Sequence, residues 1–102
     1  MLNILVVDDL ELNRRLLTVM LEQQGYRVFT AENGLVALSL LDEQKIDIVL
    51  LDVIMPVMDG FETAAIIKER YSQVYLPIIF ITSLEDEASF ERCLAVGADD
   101  FL

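Results

Sequence analysis

Four oxygen-bearing side chains carry the chemistry this sequence can offer: Asp8, Asp9, Asp52 and Thr82. Each follows or closes an apolar run. Leu2 to Val7 leads into Asp8-Asp9, Ile46 to Leu51 climbs to Asp52, and Pro77 to Ile81 ends at Thr82. Apolar runs bounded by turn residues suit strands buried on both faces, as in a parallel sheet. Open α/β sheets gather the carboxyl ends of their strands at one rim, where ligands bind. Taken alone, Asp52 reads as a turn-capping residue. Beside Asp8 and Asp9 it reads differently, because two unit charges ~4 Å apart repel by about 4 kcal/mol at an effective dielectric near 20. Protonation or a basic side chain would offset that, but no Lys or Arg follows any of these strand ends. A hard divalent cation with oxygen ligands is the simplest remedy, and Mg²⁺ suits an open site built from a few carboxylates and several waters.

A carboxylate beside Mg²⁺ either holds the metal or attacks phosphorus to form an acyl phosphate. Phosphoryl transfer needs charge neutralisation around three equatorial oxygens. The cation takes one; the Thr82 hydroxyl and the backbone N–H groups after Asp52 and Thr82 are placed to take others. Ser83 is small and leaves room for a phosphoryl group. There is no GxGxxG and no GxxxxGK[ST], so the dinucleotide fingerprint and the P-loop are absent. Asp52 is followed by Val53-Ile54, so no second Asp two residues on serves as the acid/base partner of an aspartyl-phosphate phosphatase. A Mg²⁺-dependent phosphohydrolase is therefore disfavoured for want of a visible general acid.

The elements that must position these groups alternate. The first strand spans Leu2–Val7, and a helix follows from about Glu11 to Gln24, with Leu12, Leu16, Leu17, Met20 and Leu21 as its apolar face. Gly25 stops it. Tyr26–Thr30 is the second strand. Asn33-Gly34 opens a second helix, which buries Val36, Ala37, Leu40 and Leu41 and ends near Glu43. Asp47–Leu51 is the third strand. A third helix runs from Asp59-Gly60 to about Tyr71, with Phe61, Ala64, Ala65 and Ile67 on or near its buried side. Pro77–Thr82 is the fourth strand, Glu85–Val96 a fourth helix stopped by Gly97, and Phe101-Leu102 the start of a fifth strand. Four strand–helix alternations with short loops predict a doubly wound, parallel α/β sheet with right-handed crossovers.

At 102 residues the chain is predicted to be one domain. It is 55% hydrophobic, so a substantial core is available. Its net charge of −11 disfavours nucleic acid as a direct ligand, since phosphate binding needs basic surface. Cys93 is the only cysteine and histidine is absent, which excludes an internal disulfide, a Cys–His nucleophile and the usual zinc chemistry. Cys93 is expected to be a buried helix residue. No apolar run reaches the ~18 residues of a membrane span, and the amino terminus has no signal-peptide pattern. A cytoplasmic location is expected.

The stretches ILVVDDLELNR at 4–14, IDIVLLDVIMPVMDG at 46–60, PIIFITS at 77–83 and GADDFL at 97–102 together resemble the receiver domain of bacterial two-component response regulators. The resemblance covers the whole chain in order. It implies a flavodoxin-like (CheY-like) sheet of strand order 2-1-3-4-5. It also implies that Asp52 is the phosphoacceptor, that Asp9 ligates Mg²⁺ directly, that Asp8 acts mostly through a water on the metal, and that the Ile54 carbonyl completes the protein ligands. Thr82 would be the switch hydroxyl and Phe101 the switch aromatic, with plain core packing as the alternative for Phe101. Met55 and Pro56 would shape the loop after the acceptor. The implied partners are a sensor histidine kinase or phosphotransfer protein and a C-terminal output domain, with no direct nucleic acid and no membrane.

The chain departs from the family's pattern at its end. Receivers carry a Lys shortly beyond the position of Phe101, then a fifth helix; this sequence stops at Leu102. The expectation is a shortened receiver, lacking most of strand five and helix five, that self-associates as a homodimer through an uncovered face. The rival expectation is a phosphorylation-independent interaction or dimerisation domain. Ile54 and Leu84, two residues beyond Asp52 and Thr82, offer no acid or amide to orient an attacking water, so slow self-dephosphorylation is expected.

Overall fold

The structure is a computed structural model, and it describes residues 1–53, 55, 57–81, 100 and 101. The helix expected over 85–96, with Cys93 in it, lies outside the described residues, as do Ile54, Pro56, Thr82, Ser83 and Leu84.

Strands and helices alternate in the order β1 (Asn3–Val7), α1 (Glu11–Gln23), β2 (Arg27–Ala31), α2 (Gly34–Glu43), β3 (Ile48–Asp52), α3 (Gly60–Arg70), β4 (Ile78–Ile81) and β5 (Asp100–Phe101). The sheet is parallel throughout, with strand order β2-β1-β3-β4-β5. This is the doubly wound arrangement the sequence predicts.

Both faces of the sheet are covered, which is why Ile4–Val7 of β1 and Ile48–Leu51 of β3 are apolar at successive positions rather than alternating. On one face Ile4, Val6 and Leu50 are buried and meet Leu17 and Leu21 of α1. On the other, Leu5, Val7, Val49, Leu51, Ile78 and Phe80 form a larger core with Ala37, Leu38 and Leu41 of α2 and Phe61, Ala64 and Ile67 of α3. Phe61 packs edge-on against Phe80, with ring centroids 5.7 Å apart. Each large side chain so buried contributes about 1.5–3 kcal/mol of transfer free energy.

The apolar faces differ from the sequence expectation in three helices. In α1, Leu17 and Leu21 face the sheet, whereas Leu12, Leu16 and Met20 are exposed at 68%, 54% and 60%. Five apolar residues exceed the stripe that one sheet face can bury, so the set divides around the helix. In α2, Leu38 is buried and Val36 is exposed. In α3, Thr63 replaces Ala65 as a buried residue, its hydroxyl donating to the Asp59 carbonyl at 2.8 Å.

Local chemistry sets the boundaries. Gly25, at φ +91°, ends α1 with paired hydrogen bonds: its N–H reaches the Glu22 carbonyl and the Tyr26 N–H reaches that of Leu21. Because Tyr26 belongs to this cap, β2 starts at Arg27, one residue later than expected. Asn33 and Asp59 cap α2 and α3, each side chain accepting from a backbone N–H at 2.9 Å (Val36 and Glu62). The N-cap of α1 is Leu10, which has no capping side chain of its own. Asp8, after β1, instead fixes the start of the helix by accepting from the Leu10 N–H and the Asn13 side chain.

Candidate acidic site at the strand ends

β1 and β3 are hydrogen-bonded neighbours, so their carboxyl ends bring Asp8 and Asp9 beside Asp52. Carboxylate oxygens of Asp8, Asp9 and Asp52 all lie within 4.8 Å of one another. Asp8 is buried, at 4% exposure, Asp52 is half-buried and Asp9 is exposed. The cluster is therefore anchored inside and open on one side. Its donors are all hard oxygens, the set that suits Mg²⁺.

Asp8 is the most constrained of the three. Its backbone N–H continues the β1–β2 ladder to the Ala31 carbonyl at 3.1 Å. Its Oδ1 accepts from the Leu10 N–H at 2.9 Å and its Oδ2 from Asn13 Nδ2 at 3.2 Å. Arg14 Nη1 donates to the Asp8 carbonyl at 2.8 Å. One residue thus ends a strand, starts a helix and presents a fixed carboxylate to the cluster. Sequence reasoning missed Asn13 and Arg14. The signal was their position in the first turn of the helix after Asp8-Asp9, where side chains point back toward the preceding strand end.

Asp52 is the last residue of β3, in register with Ile81 of β4. Thr82, the next residue of the chain, is outside the described residues, so its side chain is not placed against Asp52 here; the same holds for Ile54. Phe101 stands in β5 opposite Phe80, on the far side of β4 from Asp52.

The segment after Asp52 is drawn tight. The Gly60 N–H donates to the Val53 carbonyl at 2.7 Å. A Cβ at Gly60 would stand 2.7 Å from Val53 Cα and closer still to the Asp52 carbonyl oxygen. Only glycine lets the start of α3 approach the Asp52 backbone this closely. The sequence marks Asp59-Gly60 as a helix start and gives no hint of this contact. Within the loop, Val57 is exposed and left-handed, at φ +71°.

The model of the response regulator receiver domain matches residues 4–102. The chain is 42% identical over 99 residues to the response regulator PleD of Caulobacter vibrioides, covering 97% of this chain and 22% of that protein. It is 43% identical over 99 residues to the sensor histidine kinase RcsC of Escherichia coli, covering 97% of this chain and 10% of that protein. The chain therefore spans a minor part of the curated relatives it matches. Among solved structures, the chemotaxis protein CheY4 of Vibrio cholerae superposes with a TM-score of 0.94 at 32% identity, covering all of this chain and 85% of that one. The response regulator TrrA of Thermotoga maritima, in complex with Mg²⁺ and BeF, superposes with a TM-score of 0.88 at 36% identity, again covering all of this chain and 85% of that one. The chain belongs to the response regulator receiver domain family of two-component systems, a family of phosphoacceptor switches. No helix among the described residues is long and apolar enough to cross a membrane.

Proposed function

We propose that this receiver accepts a phosphoryl group on Asp52 from the phosphohistidine of a kinase or phosphotransfer protein. The observation that carries the reading is the convergence of three carboxylates, from the ends of two adjacent strands, within 4.8 Å. At that separation each pair repels by about 3–4 kcal/mol before solvent screening, and a divalent cation turns that cost into affinity. Asp9 and Asp52 would hold Mg²⁺ directly, with the Ile54 carbonyl as a third protein ligand. Asp8, whose two oxygens already accept from Leu10 and Asn13, would act through a metal-bound water and by orienting the site. When bound, the cation neutralises charge that develops on the transferring phosphoryl oxygens. An Asp52 carboxylate oxygen attacks phosphorus as the histidine P–N bond breaks, and the imidazole leaves with the bonding pair. Thr82 would then donate its hydroxyl to the phosphoryl group, and Phe101 would turn inward as that hydroxyl moves. The chain assists its own phosphorylation and turns over no separate substrate.

The phosphodonor also needs a surface to dock on. Leu12, Leu16 and Met20 form an exposed apolar stripe on α1, whose first residue is two beyond Asp9. A helix carrying the phosphohistidine, laid along that stripe, would bring its imidazole to the acidic rim. The matched relatives include regulators and a sensor kinase far longer than this chain, which supports a receiver module joined to output or kinase domains. A phosphorylation-independent dimeriser is the less favoured reading, because it leaves the acid trio without a use.

The test is beryllofluoride with Mg²⁺, followed by amide NMR. Shifts centred on Asp52 and the neighbouring strand ends, absent in Asp52→Ala, support the reading. Identical spectra with and without the two additives count against it.

A further inference from the structure

Among the described residues, β2 is the outer strand of the sheet and pairs only with β1. The Arg27 N–H donates to the Leu2 carbonyl, and the Asp8 N–H donates to the Ala31 carbonyl. Backbone groups alternate in direction along a strand, so Arg27, Phe29 and Ala31 face β1 while Val28 and Thr30 present their N–H and C=O groups outward. Beside this edge lies a groove of about 450 Å³ against α1, lined by Arg14, Arg15, Thr18, Val28 and Thr30, with Glu11 as its single acid. On the opposite face of the same strand, the Arg27 guanidinium lies over the Phe29 ring, 5.1 Å from its centroid. The chain has only seven basic residues against eighteen acidic ones. Three of the seven border this one edge, on both faces of it.

We infer that the open edge of β2 is a docking site for an extended acidic segment of a partner protein, which adds to the sheet as a sixth strand. The outward groups of Val28 and Thr30 supply the main-chain ladder. Side chains of an added strand alternate between faces. Acidic residues on one face meet Arg15 and Arg14, and acidic residues on the other meet Arg27. Arg14 is pre-oriented by its bond to the Asp8 carbonyl, so its remaining N–H groups are positioned without further loss of freedom. The −11 total repels anions in general, so an acidic segment would have to be held by these locally clustered basic side chains.

The test uses the full chain and a fluorescein-labelled synthetic peptide of about seven residues in which Glu-Glu pairs are separated by Thr-Thr pairs, so that both faces of the added strand carry Glu, followed by fluorescence anisotropy at low salt. Saturable binding is expected, together with amide shifts at Val28 and Thr30. A peptide N-methylated at alternate amides should bind at least about tenfold more weakly, and so should the unmodified peptide with Arg15→Glu. Arg15→Gln should give an intermediate loss, and the exposure of Arg15 keeps both variants folded. A Lys-Thr peptide should not bind. Equal binding by the N-methylated peptide would show attraction by charge without strand addition and overturn the inference. So would the absence of saturation at millimolar peptide, or sedimentation of a dimer closed by β2 that excludes the peptide.

Discussion

Asn13, in the first turn of α1, donates to the Asp8 carboxylate at 3.2 Å and so ties the start of the helix to the acid at the end of β1. The acid that anchors the start of the helix is also the buried member of the acidic cluster. Stability and metal binding therefore pull in opposite directions at Asp8. Asp8→Asn removes one of three mutually repelling charges. It should raise the metal-free melting temperature, a gain of about 1 kcal/mol after screening, while the stabilisation conferred by added Mg²⁺ falls sharply. Thermal melts with and without Mg²⁺ check both signs; a variant that keeps the full Mg²⁺ response would remove Asp8 from the site.

Gly60→Ala should destabilise the fold by about 1–3 kcal/mol, because the new methyl meets backbone atoms of Asp52 and Val53 that have no room to retreat. The strand end must shift to admit it, so Mg²⁺ affinity should fall as well. Urea unfolding and a Mg²⁺ titration of the same variant would report the two effects. An unchanged Mg²⁺ affinity would separate the Gly60 contact from the geometry of Asp52.

Val57 is β-branched and left-handed, a conformation costing such a residue roughly 1–2 kcal/mol. Asn tolerates it. Val57→Asn should stabilise the protein by about 0.5–1 kcal/mol and remove an apolar side chain that is 76% exposed. Chemical denaturation measures the gain, and a loss of stability would mean that the Val57 side chain makes contacts worth more than the strain.

The Tyr71 hydroxyl donates to Asp42, whose carboxylate also pairs with Arg70 at 3.3 Å, linking α2 to the end of α3. Partial burial, and then the hydrogen bond and charge of Asp42, raise the Tyr71 pKa above its ordinary value of about 10. A folded-state pKa raised above the unfolded one contributes stability that is fully present below pH ~10 and is lost as pH rises through the folded value. Stability should therefore decline in alkali, and Tyr71→Phe should lose the part of that decline owed to this group. Parallel melts from pH 8 to 11 would show it, and superimposable pH profiles for the two proteins would contradict it.

The architecture was legible because its strands are apolar at successive positions and are punctuated by Asn33-Gly34, Asp59-Gly60 and Gly25. The acid trio was legible because a parallel sheet sends Asp8, Asp9 and Asp52 to one rim. What the sequence concealed depends on distances between backbones and on helix rotation. Nothing in the letters says that Gly60 must lie against Asp52, or that α1 turns Leu17 and Leu21 inward and Leu12, Leu16 and Met20 outward. Periodicity locates an apolar stripe but not which edge of it is buried, so it does not choose Leu38 over Val36 or Thr63 over Ala65. Asn13 and Arg14 were hidden for another reason: polar residues on a first helical turn usually face solvent, and these two reach back to Asp8.

Ile54 and Leu84 bear on how long a phosphoryl group would persist. Neither side chain is an acid or amide that could orient a water for in-line attack, so the acyl phosphate is expected to be long-lived. Ile54→Asp, or Leu84→Asn, should shorten its half-life by roughly tenfold or more, in line with general-base contributions. Following release of inorganic phosphate after donor removal would measure this, and unchanged decay in both variants would contradict it.

The most direct test of the central claim is to incubate the protein with a small-molecule phosphodonor, with and without Mg²⁺, and read the intact mass and the modified residue after borohydride trapping. The predicted result is one phosphoryl group, on Asp52, formed only with Mg²⁺ and absent in Asp52→Asn. Incorporation without Mg²⁺, or equal labelling of Asp52→Asn, would contradict the account.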